Sequence, residues 1–494
     1  MKYFLMLIQL WVGFLPICAS YPKANIWIIP SVESPQVYRN YAQTSKVHLE
    51  MARGEVEHIQ LVFPSKVNEE YRFTFDRNLK GIQISARELK KMNGYYDALV
   101  PFKNQLKCTD TLTAVWITVQ CPSRVPVGKY HQTIKIEGSK HFTIQLDYNV
   151  HHTTIPLKSS IPITVGVENR CVAEGLNDKE ADKERQRWVD FVLSYRMTPV
   201  FGTQITPERW QYEHSFSPWA WNDKRSIRLL NDRRYSCYML PFFTLSENEL
   251  ASLLCNIQKK GKLKESLFYI WDEPAYMEDY EQIKQKVNII RKYASDARIL
   301  TTFFCGPRNG PRKGDLYAVF DYLKHHIHVA TISLAPCKGN EEEVQHIRYK
   351  VPEGIDWWSY VCWQPGGNEP NFLLQMKGIQ QRAIMWRTWK NGSQGFLYWN
   401  CNIYHKRNPF TYITDMPHGD GILIYPGDIL GRKGPIASAR LERWRDGAEE
   451  MELLRLVEKN YSKEKADTLL NIVYSSPLSF IEKAHNIPFF RKES

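Results

Sequence analysis

The chain has 494 residues, 43% of them apolar and 24% charged, which is ample for two to four packed domains and excludes a disordered or fibrous protein. The net charge of +12 comes from scattered Lys and Arg residues with no nucleic-acid motif beside them, so nucleic acid is a poor fit as partner, whereas an anionic glycan remains compatible.

Residues 1–20 combine a basic start, an apolar run too short and too early for a membrane span, and small residues at the end. They read as a signal peptide, which predicts a secreted or periplasmic protein. Cys18 leaves open a lipid anchor, although Ile17 is large for the position before a lipidated cysteine. No other stretch approaches the ~20 apolar residues of a transmembrane helix, so no membrane span is predicted.

Residues 21–157 alternate apolar and polar positions in short runs broken by Pro, Gly, Asn and Asp, as in His58–Phe63, Ala114–Val119 and Phe142–Tyr148. Evenly spaced short strands predict a β-sandwich. From 158 to 460 the pattern changes to eight apolar runs separated by helical segments. The runs are Ile161–Val167, Pro199–Thr203, Cys237–Phe243, Ser266–Trp271, Arg298–Phe304, His328–Ser333, Asp356–Cys362 and Gly395–Trp399. Their spacing predicts a (β/α)8 TIM-type barrel, an α/β fold, with a doubly wound open sheet as the structural rival.

Asn177 with Glu180 forms a capping-box pattern ahead of a helix from Asp178 to Tyr195; further helices are expected at Tyr280–Tyr293, Phe372–Lys390 and Pro435–Val457. Residues 461–494 are expected to add peripheral helices. The insertion from Gln204 to Ser236, with Trp210, Tyr212, His214, Trp219 and Trp221, follows the second strand and would either lid a pocket or pack on the barrel top.

Nine cysteines follow the leader, with wide spacings and no Cys-x-x-Cys pair, which supports neither a zinc knuckle nor a disulfide scaffold. Cys108 and Cys121 lie on neighbouring predicted strands and could pair in an oxidising compartment. His325, His326 and His328 crowd the start of the sixth strand, at the rim opposite the expected site, and read as surface residues. The Gly306–Gly314 loop lacks the Gly-Lys-Ser/Thr ending of a phosphate loop. No metal and no cofactor is predicted.

The chemistry concentrates in Trp271-Asp272-Glu273-Pro274. Pro274 has no amide proton to continue a ladder and pushes Glu273 toward extended geometry, so both carboxylates fall at a strand's C-terminal end. On parallel barrels that rim carries the catalytic groups. Neighbouring carboxylates repel, so one should hold its proton to higher pH while the other stays ionised. In a regular strand they would face opposite ways, and they can serve one site only where the strand ends. Ordinary glycosidases take acid and nucleophile from different strands, about 5 to 9 Å apart; an adjacent pair suits attack by the sugar's own 2-acetamido oxygen.

The chain resembles glycoside hydrolase family 123, the β-N-acetylgalactosaminidases that cleave with 2-acetamido participation. The likeness rests on Ala52–Glu57, Ala114–Trp116, Val127–Tyr130, Asp272-Glu273, Trp358-Ser-Tyr360, Gly395–Trp399, Gly419–Gly427 and Ser438–Gly447. The last motifs also occur in a wider set of barrels. The resemblance implies that Asp272 orients the acetamido group and stabilises an oxazolinium, and that Glu273 is the acid and then the base. By their places at strand ends, Tyr360 could bond the acetamido carbonyl or be a core tyrosine with its hydroxyl satisfied, Trp358 could wall the methyl and Trp399 stack on the sugar or both be core aromatics, and Asn400 could bind a ring hydroxyl. The expected partner is an oligosaccharide or glycoconjugate bearing N-acetylhexosamine. Another hexosamine, internal cleavage, or a glycan-binding surface protein without activity are the alternative readings. Arg440, Glu442, Arg445, Asp446 and Glu449 recur at helical spacing and are expected to form intrahelical and helix-to-barrel ion pairs.

Overall fold

A computed structural model describes residues 26–494 except 77–78, 207–210, 405–408, 410–417 and 483–486, so the leader with Cys18, and Trp210, lie outside the described residues. The alternating N-terminal segments form two five-stranded sheets. One runs in the order Trp27–Pro30, Val56–Pro64, Leu112–Gln120, Gln83–Met92, Tyr95–Pro101; the other runs Lys46–Arg53, His141–Thr154, Gly128–Glu137, Glu70–Phe75, Gln105–Lys107. Because side chains alternate along a strand, Leu49 and Met51 of the second sheet meet Ile59, Leu61 and Phe63 of the first in one buried core. Cys108 and Cys121 sit in that core as separate free thiols.

Each of the eight apolar runs overlaps a strand, and all eight strands are parallel members of one nine-stranded sheet. In chain order they are Ile163–Glu168, Thr198–Thr206, Tyr238–Met239, Ser266–Trp271, Arg298–Phe303, Val329–Ser333, Asp356–Val361 and Phe396–Tyr398. The sheet is nearly closed, but the expected ring of eight is interrupted: the second and third strands share no ladder. The ninth strand, Gln211–Ser215, comes from the aromatic insertion and pairs antiparallel with the second strand at this seam. Glu213 on it accepts the Phe242 and Thr244 amides at 2.8 and 2.7 Å, and the Phe216 amide reaches the Met239 carbonyl at 2.6 Å, so the insertion ties the two sides together.

Helix Asp178–Ser194 begins where the Asn177 side chain accepts the Glu180 amide, as the spacing predicts. Helix Gly378–Lys390 starts later than the expected Phe372, and Pro435–Ala437 is a strand paired with Ile424–Pro426, not a helix start. The helix proper is Ala439–Asn460, capped by the Ser438 hydroxyl.

That helix is wedged between the barrel and the sandwich, and its charges are buried. Arg440 donates to Asp97 at 2.9 Å and to the Phe372 and Gly419 carbonyls at 2.7 Å. His58 of the sandwich lies 3.1 Å from Glu442 and 3.3 Å from Asp446; burial alone would pull its pKa down, but the two carboxylates hold it up. Glu449 takes Arg196 at 3.0 Å and the Val56 amide at 2.9 Å. The expected intrahelical and helix-to-barrel pairs are present in Glu442 with Arg445 and in Glu449 with Arg196, and the N-terminal sheets add Asp97 and His58 as partners that helical spacing did not indicate. The final helix, Pro488–Glu493, is not peripheral either: Arg491 is buried and binds Glu55 at 2.6 Å, and Glu57 beside it.

Replacing Arg491 with Met leaves Glu55 and Glu57 side by side in the interior without their cation, and should cost about 3–5 kcal/mol of stability. Urea unfolding followed by circular dichroism measures it. A loss below about 1 kcal/mol, the value of an exposed pair, would show that the two carboxylates need no counter-ion.

Candidate active site

The site is built on the end of the fourth strand. Leu267 and Tyr269 point into the barrel, whereas Phe268 and Ile270 point outward. The register against the fifth strand then slips, with Tyr269 opposite Leu300 but Trp271 opposite Thr301. This bulge leaves Trp271 packed with the outward cluster and returns Asp272 to the inner face. Tyr269, three residues earlier, donates its hydroxyl to Asp272 Oδ1 at 2.8 Å, and Thr302 from the fifth strand donates to the same oxygen at 2.7 Å.

Glu273 is not extended, as Pro274 suggested. Its φ is +46°, in the left-handed region, which costs a non-glycine residue on the order of 1 kcal/mol. The Glu273 amide donates to Thr302 Oγ1 at 3.1 Å, and this bond holds the turn that sends its side chain the same way as that of Asp272. One hydroxyl thus positions both acids.

Tyr360, two residues from the end of its strand run, donates its hydroxyl to Glu273 Oε1. Glu273 keeps a solvent-facing side at the cavity mouth, yet enough protein surrounds its carboxyl that burial, and then the charge of Asp272, push its pKa up to about 7. The Tyr360 hydroxyl and the more distant Arg308 pull the other way without cancelling the rise. Glu273 is therefore the member of the adjacent pair whose carboxyl holds its proton to higher pH than usual.

Two cavities meet at Asp272. The larger, about 470 Å3, runs along Trp271, Asp272, Glu273 and the start of helix Met277–Arg291. The smaller, about 70 Å3, reaches into the barrel mouth between Val200, Leu397, Trp399 and Asn400. Tyr212, His214, Tyr269 and Asp272 line both. Gly166 lets the first and eighth strands close beneath the smaller one, since a Cβ there would fall 1.9 Å from the Trp399 carbonyl oxygen.

Of the residues expected from the sequence, Asp272, Glu273 and Tyr360 come together in one bonded group, and Trp399 and Asn400 line the smaller cavity. The Trp399 ring is pinned by its Nε1–H bond of 3.0 Å to Asp420, and the Asn400 side-chain oxygen already accepts the Asn402 amide at 2.9 Å. Trp358 is not in either lining; it is buried in the barrel interior against Gly395, two residues below Tyr360 on the same face. Tyr360 spends its hydroxyl on Glu273 and not on open cavity space. Sequence reasoning missed Tyr269 and Thr302, and it placed Tyr212 and His214 in an insertion that would either lid a pocket or pack on the barrel top, of which the wall of both cavities is the outcome. Tyr269 and Thr302 were visible as polar members of two adjacent strand runs. His214 stacks on Tyr269 with ring centroids 4.2 Å apart, a contact across 55 residues with no local signal.

The family model described as "Glycoside hydrolase 123, catalytic domain" matches residues 183–457. Among solved structures, the chain is similar to a family 123 glycoside hydrolase from Clostridium perfringens studied for glycolipid glycan hydrolysis, at 14% identity, with 90% of this chain and 91% of that chain covered and a TM-score of 0.66. A GH2 β-galacturonidase from Eisenbergiella tayi aligns far more loosely, at 9% identity over 80% of this chain and 89% of that chain with a TM-score of 0.33. No curated protein sequence matches the chain. The matched stretch spans more than half of the chain and contains the strand end that carries Asp272 and Glu273, and the chain belongs to glycoside hydrolase family 123.

Proposed function

We propose that this glycoside hydrolase releases terminal β-linked N-acetylgalactosamine with retention, through attack of the substrate's own 2-acetamido oxygen. The observation that carries the reading is the joining of two adjacent carboxylates to one cavity, one locked by hydroxyl donors and the other holding its proton toward neutral pH. Eight parallel strands in the cyclic order of a TIM-type barrel, with the acids at their C-terminal rim, support it.

In this reading Asp272 is the orienting base. Tyr269 and Thr302 occupy its Oδ1, so Oδ2 is free to accept the acetamido N–H, turning the carbonyl oxygen toward the anomeric carbon and stabilising the positive charge that develops there. The smaller cavity, apolar and bordered by Asp272 but not Glu273, suits the acetamido arm, with Trp399 in the wall first expected from Trp358. Glu273, facing the larger cavity, protonates the leaving oxygen. In the second half-reaction it takes the proton from the water that opens the oxazolinium.

Asp272→Asn should cut turnover about 10²–10³-fold even on activated aryl glycosides, since a developing charge loses its counter-charge. Glu273→Gln should lose about 10²–10⁴-fold on alkyl or sugar leaving groups and far less on nitrophenolate, which departs without a proton. Kinetics on both substrate types measure the contrast, and equal losses for both variants on both types would contradict the assigned roles.

The pH profile carries its own sign. The acid must enter the reaction protonated, so kcat/KM for a sugar leaving group should fall as pH rises through about 7. The Tyr360 hydroxyl stabilises the ionised form of Glu273, so Tyr360→Phe should move that alkaline limb to higher pH. A limb that moves to lower pH would remove Tyr360 as the group tuning the acid.

A further inference from the structure

The larger cavity continues outward from Glu273 along Phe243, Tyr276, Glu278, Asp279 and Gln282. Four of its lining residues are carboxylates, Asp272, Glu273, Glu278 and Asp279, and among the described residues no Lys or Arg lines it. His214 on the shared wall adds no positive charge near neutrality, because burial pulls its pKa down to about 4. Two described cations stand against residues of its lining and do not line it themselves. Arg308 reaches Cys305 and Tyr276, and Lys286 lies over the Phe243 and Trp271 rings at 5.4 and 5.9 Å.

The acid marks which way the leaving group departs. Because Glu273 borders the larger cavity and not the smaller, the sugar beyond the scissile bond must extend into this outer stretch. There it meets aromatic faces in Phe243 and Tyr276, an amide in Gln282, and the acidic groups. Asp279 is committed to the helix start, its Oδ2 accepting the Ala275 and Tyr276 amides at 2.8 and 2.9 Å. Glu278 is exposed, with the Asn309 amide 3.3 Å from its Oε2.

We propose that this stretch is the subsite for the leaving sugar and that it discriminates by charge, accepting an uncharged sugar and repelling one that bears a carboxylate or a sulfate. The inference rests on the reading given under Proposed function. It reverses what the net charge of +12 suggests, since that charge is spread over the whole chain while the carboxylates are the charged groups among the described lining residues.

The test compares three disaccharides with terminal β-N-acetylgalactosamine, linked to galactose, to glucuronic acid and to 6-sulfated galactose, beside an aryl β-N-acetylgalactosaminide as control. Wild-type kcat/KM at low ionic strength should favour galactose about tenfold or more over both anionic sugars, and added salt should narrow the gap. Glu278→Gln, an exposed change of nearly equal size, should narrow it several-fold. Anionic sugars cleaved as well as galactose, rejection of only one of the two anions, or a gap that ignores both salt and Glu278→Gln would overturn the proposal. Cleavage of the aryl control without charge discrimination sinks this inference alone; an inert aryl control sinks the underlying reading and this inference with it.

Discussion

Neighbouring side chains on a strand face opposite sides of the sheet, and the proposed chemistry requires that rule to fail between Ile270 and Pro274. It fails twice. The bulge at Ile270–Trp271 resets the alternation so that Asp272 faces inward, and the left-handed turn at Glu273 bends the next side chain to the same cavity. Each departure is held by the fifth strand: Thr302 bonds the Asp272 carboxylate on one side and the Glu273 amide on the other. Backbone strain of this kind persists only when its surroundings over-determine it. Here a single hydroxyl, a tyrosine three residues upstream and a tyrosine from the seventh strand together do so.

The same geometry separates the two acids chemically. Asp272 receives two hydroxyl donors on one oxygen. Glu273 receives one, from Tyr360, and faces both partial burial and the Asp272 charge. The rise at Glu273 comes from its burial and then from the neighbouring Asp272 charge, and the Tyr360 hydroxyl only moderates it. The eight-strand order matters here: the seventh strand brings Tyr360 from across the barrel mouth, and the insertion after the second brings Tyr212 and His214 to the wall shared by both cavities.

The strand runs, and the position of the acids among them, were legible because apolar runs, capping residues and Pro274 are local signals. The seam was not. An eight-fold spacing says nothing about ladder closure, and the aromatic insertion has no periodicity to reveal the strand Gln211–Ser215 within it. Trp358 and Tyr360 share a face by parity, but parity does not tell depth, so the sequence could not say that Tyr360 reaches the rim while Trp358 stays in the interior. Pro274 correctly marked the strand end, yet the bias it places on the preceding residue yielded to the bond from Thr302. Arg491 lay in a segment read as peripheral because its partners, Glu55 and Glu57, are more than 430 residues away.

The buried charges around helix Ala439–Asn460 explain how such a site stays aligned. Apolar surfaces would hold sandwich, helix and barrel together, but they tolerate sliding; Arg440 to Asp97, Glu442 and Asp446 to His58, and Glu449 to Arg196 do not, because each displaced pair leaves an uncompensated charge in the interior. Arg440 also donates to the Gly419 carbonyl, next to Asp420, whose carboxylate holds both the Trp399 indole and the Tyr398 hydroxyl at 3.0 Å. The chain of contacts therefore runs from the sandwich through one guanidinium to the aromatic wall of the smaller cavity. In this arrangement the N-terminal sheets, none of whose described residues lines either cavity, set the position of one of the walls.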